Sequence, residues 1–171
     1  MKEKTIHKEL FYPHAPERVW VALTDPRALA EWLMPNNFRA EVGARFRFHV
    51  DPMPGFSGIS ECEVLEVDPP KRLVYTWTVV PARPGEIPPP AMTLEWTLTP
   101  EQGGTRLVLH QTGVEALNWW WRLSMSHGWK RMLGRLLPEV LPNVGPDGKF
   151  EPGAIRKREY GTKTVPEGYA R

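Results

Sequence analysis

Alternation of apolar and polar positions dominates the middle of this chain. Val42, Ala44, Phe46, Phe48 and Val50 interleave with Gly43, Arg45, Arg47 and His49, the pattern of a strand with one buried and one basic face. Ser60–Val67 reads as a second strand of this group. Leu73, Tyr75, Trp77 and Val79 then set out a third, Met92, Leu94, Trp96 and Leu98 a fourth, and Leu107, Leu109 and Gln111 a fifth. Short Pro/Gly/Asp turns join most of them. The exception is 81–90 (PARPGEIPPP), where prolines lack the ladder donor, so this segment must be a stiff loop. Upstream, Thr5–Tyr12 predicts one more strand. Two short helices follow, one opened by Pro16 and carrying Val19, Trp20 and Leu23, the other capped by Asp25 and carrying Leu29, Trp32 and Leu33.

Consecutive strands on short turns imply an antiparallel meander, and each apolar face needs a cover. The period returns to 3.6 over about 115–137, where Met125, Trp129, Met132, Leu133 and Leu136 share one side and Pro138 is the predicted stop. The expected architecture is therefore α+β: about six curved antiparallel strands around a long C-terminal helix, with two short helices after the first strand. Residues 1–137 make up this domain. Residues 138–171 form a tail in which ten of 34 are Pro or Gly, either flexible or an extended arm lying on the domain or a partner.

The order of elements and several short motifs resemble the helix-grip fold of START-like and birch-pollen-allergen-like proteins. Within it, the chain is most similar to the activator of heat-shock-protein-90 ATPase homolog family. The resemblance rests on Ala15-Pro16 before Val19-Trp20, Leu23-Thr24-Asp25-Pro26, Leu29 and Trp32. It continues through Val42-Gly43 before Phe46, 66–70 (EVDPP), 72–77 (RLVYTW), Gly104-Thr105-Arg106-Leu107, Gly113 and Gly128-Trp129. It spans about residues 5–137. It implies a cavity between sheet and helix, a chaperone-linked interaction as the family name suggests, or cyclase-type or hydrolase-type chemistry as in polyketide cyclase relatives. Where the family often carries a histidine, this chain has Gln111, with His110 one residue earlier and on the opposite face.

A bent sheet cannot close perfectly on one helix, and a gap lined by flat apolar side chains can hold an apolar or aromatic molecule. The candidate ligand-binding residues are Trp32, Phe46, Phe48, Trp77, Met92, Trp96, Leu109, Gln111, Met125 and Trp129. The same residues equally suit a filled core. Gln111, as the polar member, can fix one oxygen or nitrogen of a ligand. Trp119, Trp120 and Trp121 stand about 100° apart on a helix, so one face cannot bury all three. They mark a gate, a contact patch for a protein partner or homodimer, or a segment hidden by the tail. Glu61 and Glu63 share a face with Leu65, and an inward carboxylate there is the one feature favouring an enzyme.

Composition narrows the classes. With 41% hydrophobic and 25% charged residues among 171, the chain is a folding one, and at net charge +2 it is not built to grip phosphate backbones. No 18-residue apolar run exists, so no membrane span is predicted. Met1–Glu9 is charged and lacks the apolar core of a secretory signal. The lone Cys62 has no disulfide partner and reads as a buried small apolar residue, which points to the cytoplasm. The five histidines show no ligand spacing, and no phosphate-loop or nucleophile motif occurs, so neither metal nor cofactor is expected.

Overall fold

A computed structural model describes residues 4–171; Met1–Glu3, the start of the charged N-terminal stretch, lie outside it. Strand β1 (Ile6–Tyr12) leads into α1 (Pro16–Thr24) and α2 (Pro26–Trp32). Pro16 opens α1, and the Asp25 carboxylate accepts the Arg27 amide at 2.8 Å to cap α2. The meander follows as β2 (Arg45–His49), β3 (Ile59–Asp68), β4 (Arg72–Val79), β5 (Met92–Glu101) and β6 (Gly104–Thr112). All neighbours are antiparallel in the order β1-β6-β5-β4-β3-β2, so β1 closes against the end of the meander.

The inner face is set by parity. Phe46 and Phe48, Cys62 and Val64, Leu73, Tyr75 and Trp77, Met92, Leu94, Trp96 and Leu98, and Leu107 and Leu109 are all buried. A bulge at Leu65 shifts the β3–β4 register between Val64 and Glu66, adding local twist to the sheet. Strand β2 is shorter than the alternation predicts. Gly43 sits at φ +85° in a turn, which leaves Val42 exposed and starts the ladder at Arg45.

Helix α3 (Trp119–Arg131) lies against the inner face and completes the helix-grip arrangement. It starts later than its apolar spacing predicts, because the Asn118 side chain accepts the Trp121 amide at 2.9 Å and defines the N-cap there. The helical path also continues beyond Pro138, the predicted stop. A wide π turn over Met132–Leu136 joins α3 to α4 (Leu137–Val140), with the Leu137 amide bonded to the Met132 carbonyl. In a regular α-helix the Pro138 ring would clash one turn back; the wider turn relieves that contact.

The chain from the end of α4 onward packs on the domain. Val140, Leu141, Val144, Phe150 and Val165 are buried. The buried Glu31 carboxylate accepts the amides of Gly153 and Ile155, Tyr160 donates its hydroxyl to the Leu33 carbonyl at 2.8 Å, and Ala170 exchanges backbone hydrogen bonds with Asn36. Among the described residues, no helix is long and apolar enough to cross a membrane.

Candidate functional site

The inner face carries a relay of indoles. Trp32 meets Trp96 edge-on at 6.0 Å between ring centroids, Trp96 meets Trp129 at 5.5 Å, and Trp129 meets Trp77 at 6.1 Å. Trp77 stacks on Phe48 at 4.8 Å and 22°. Edge-to-face and offset contacts of this kind favour a fixed arrangement over a fluid one. Three of these four indoles have an acceptor for the N–H. Trp32 donates to the Ala22 carbonyl, Trp96 to the Tyr75 hydroxyl and Trp129 to the Gln111 side-chain oxygen.

The packing stops at Trp77 and Trp129, and beyond them lies a cavity of about 530 Å³. Ser60, Trp77 and Val79 supply its sheet wall; Met125, Gly128, Trp129 and Met132 supply its helix wall; Leu33 and Met34 close the back. The cavity reaches the surface between the β2–β3 turn (Met53, Gly55, Phe56), the proline loop (Pro81–Pro89) and Trp121. The local sequence explains the opening. Prolines at 81, 84, 88, 89 and 90 cannot continue the β4–β5 ladder, so this end of the sheet splays into a loop instead of a tight hairpin. Gly128 adds no side chain on the facing helix. Trp121 lies across Gly55, where an added Cβ would touch its ring at 3.6 Å.

Of the ten predicted lining residues, Trp77, Met125 and Trp129 border the cavity. Trp32, Phe46, Phe48, Met92, Trp96, Leu109 and Gln111 sit buried in the core behind them. Gln111 is fully engaged: its oxygen accepts from Trp129 at 2.8 Å, and its amide nitrogen faces the sulfurs of Met92 at 3.3 Å and Met125 at 3.1 Å. Glu61 and Glu63, predicted to offer an inward carboxylate, both point outward. They pair across β2 with Arg47 at 2.7 Å and Arg45 at 4.0 Å, because Ser60, Cys62 and Val64 take the inner parity. His110 lies on the outer face, 3.7 Å from Glu95. Among the three tryptophans, Trp121 joins the rim, whereas Trp119 and Trp120 are 67% and 62% exposed and are not hidden by the tail.

The residues that sequence reasoning missed are Ser60, Leu33, Met34, Met132 and the proline loop. Ser60 shares parity with Cys62 and Val64, a signal present in the alternation; how the loop folds has no periodic signal at all. The electrostatics of the cavity are sparse. Among the described residues, Glu86, on the exposed loop, is the one ionisable residue along its lining. The Cys62 thiol and Tyr75 hydroxyl lie deeper in the core, where burial pushes both well above their ordinary ranges and keeps them neutral. No cluster of three or more potential metal ligands occurs among the described residues.

This sheet, helix and cavity define a helix-grip protein. Residues 13–141 match the model of the family described as Activator of Hsp90 ATPase homolog 1-like protein, and the chain belongs to that family. Among solved structures it is similar to a protein from Mesorhizobium loti, with 34% identity, TM-score 0.68, and coverage of 78% of this chain and 94% of that one. DynU16, from the dynemicin biosynthetic locus, shares 25% identity at TM-score 0.66 over 85% of this chain and 49% of its own. A Chromobacterium violaceum protein shares 28% identity at TM-score 0.61, over 80% and 96%. No curated protein matches the chain.

Proposed function

We propose that this protein binds a small apolar or aromatic molecule in the cavity beside Trp77 and Trp129. The observation that carries the reading is the cavity itself. At about 530 Å³ it falls within the usual range of ligand sites, and its walls are mostly indole, thioether and aliphatic groups, with Ser60, Asn118 and Ser124 as polar members. Acid–base chemistry would need a positioned titratable group facing the bound molecule. Among the described residues only Glu86 borders the space, from the exposed loop, which favours binding over a cyclase or hydrolase. The buried free thiol of Cys62 suits a reducing cytoplasm.

The test uses N-phenyl-1-naphthylamine, a neutral fluorescent probe. Saturable one-to-one binding by the wild type is expected. Val79→Trp, which fills the sheet wall of the cavity, should weaken binding at least tenfold while the urea midpoint stays nearly constant. Absence of saturable binding, or equal binding by the variant, overturns the reading. Native mass spectrometry of the purified protein then identifies any retained molecule.

A second reading, a chaperone-directed interaction of the kind the family description names, is favoured by exposed Trp119, Trp120 and Leu123 on α3. The same patch would serve a second copy of the chain. Stimulation of a chaperone ATPase that Trp120→Ser abolishes would establish the first of these, and sedimentation would reveal the second.

A further inference from the structure

We infer that the molecule bound in the cavity carries one hydrogen-bonding oxygen or nitrogen on an otherwise apolar frame, and that Ser60 is the residue that reads it. This rests on the binding role proposed above and specifies its ligand class.

Ser60 lies on β3 between Phe48 of β2 and Val79 of β4, with its side chain on the inner face and 1% of its surface exposed. It borders the cavity. Its Oγ is the one buried side-chain oxygen or nitrogen among the described residues that has no hydrogen-bond partner. The surroundings make this unusual. Nearby Ser57 donates to the Val80 carbonyl at 2.6 Å and accepts the Ile59 amide at 3.2 Å, and the polar atoms of Gln111 are engaged on Trp129, Met92 and Met125. A lone hydroxyl held away from water destabilises the fold, and alanine or cysteine would serve the packing equally well. An unpaired group in the wall of a binding cavity is satisfied when the occupant supplies the partner. Serine turns about a single bond, so its oxygen can swing toward an occupant without backbone movement, and it can either donate or accept. The apolar walls contribute affinity for the frame; Ser60 discriminates between frames with and without the polar atom.

Naphthalene and 2-naphthol, which differ by one hydroxyl, test this by quenching of tryptophan fluorescence in wild type and Ser60→Ala. The ratio of 2-naphthol to naphthalene affinity should fall roughly fivefold in the variant, the share of one hydrogen bond. Naphthalene should bind both proteins equally, and Ser60→Ala without ligand should melt no lower than wild type. If naphthalene binds and the ratio is unchanged, Ser60 is not the polar contact and the cavity reading stands alone. If the variant melts clearly lower, the hydroxyl has a partner within the fold and the inference fails. If neither compound binds the wild type, the cavity reading falls and this inference with it.

Discussion

Trp129 donates its indole N–H to the Gln111 side-chain oxygen at 2.8 Å, inside the core, and that bond ties the C-terminal helix to the last strand of the sheet. The interaction holds in place the indole that forms one wall of the cavity. The two partners are unequal in what their loss does. Without Gln111, a buried N–H is left with no acceptor, whereas Trp129→Phe removes donor and indole together.

Gln111→Leu should therefore lower stability by about 2 kcal/mol, mostly through the stranded Trp129 N–H. Trp129→Phe should be less damaging in the Gln111→Leu background than alone, with a coupling of about 1 kcal/mol in a double-mutant cycle measured by urea unfolding. Strictly additive effects would show that the bond contributes nothing beyond packing.

The link between Asp51 and Thr164 should respond to pH. Thr164 donates both its amide, at 2.7 Å, and its hydroxyl, at 2.8 Å, to one Asp51 oxygen. The Thr164 backbone donor is the main reason the Asp51 carboxyl is held below its ordinary 3.8. A depressed carboxyl stabilises the fold fully above the ordinary value, and the contribution is lost as pH falls through the lowered one. The protection factor of the Thr164 amide should accordingly stay constant from neutrality to about pH 4 and drop in more acidic solution, while core amides such as Leu94 remain protected. Asp51→Asn should show weaker protection of Thr164 at neutral pH and no acid step. A step that persists in the asparagine variant would have to come from another group.

Much of the fold was legible because alternation reports parity directly. Leu73, Tyr75 and Trp77 of β4 and Leu94, Trp96 and Leu98 of β5 face inward as their spacing requires. Legibility failed where one residue overrode the period. Gly43 at positive φ took Val42 out of β2, and Asn118 moved the start of α3. The site was only partly legible. Periodicity identifies which side chains face the helix, but whether they pack together or leave space depends on the ends of strands. There a proline loop and a glycine on α3 set the opening. Glu61 and Glu63 show how fine the margin is: a one-residue difference in assigned parity separates an inward carboxylate from a surface ion pair.

The C-terminal arm was the least legible segment. Its composition suits a linker; Val140, Leu141 and Val144 continue the helical spacing past Pro138, but the later buried residues, Phe150 and Val165, are too far apart to form a pattern. What holds it is tertiary. Glu31 on α2 is buried and turns its carboxylate toward the arm, accepting from Gly153 at 2.5 Å and Ile155 at 3.1 Å, while Arg158 donates to the Ala30 carbonyl at 3.0 Å. Glu31→Ala strands two amides and removes a charge-assisted pair of hydrogen bonds, worth about 2–3 kcal/mol. For a chain of this length that corresponds to a fall in Tm of roughly 5–10 °C. Glu31→Gln keeps one acceptor oxygen and should lose about half as much. In Glu31→Ala the freed arm should also become open to trypsin at Arg156, Lys157 and Arg158 under native conditions, before any cleavage within the sheet. Unchanged melting together with unchanged resistance to trypsin would show that the arm is held independently of Glu31, by anchors such as Tyr160, the Asp51–Thr164 link and the Asn36–Ala170 backbone pair.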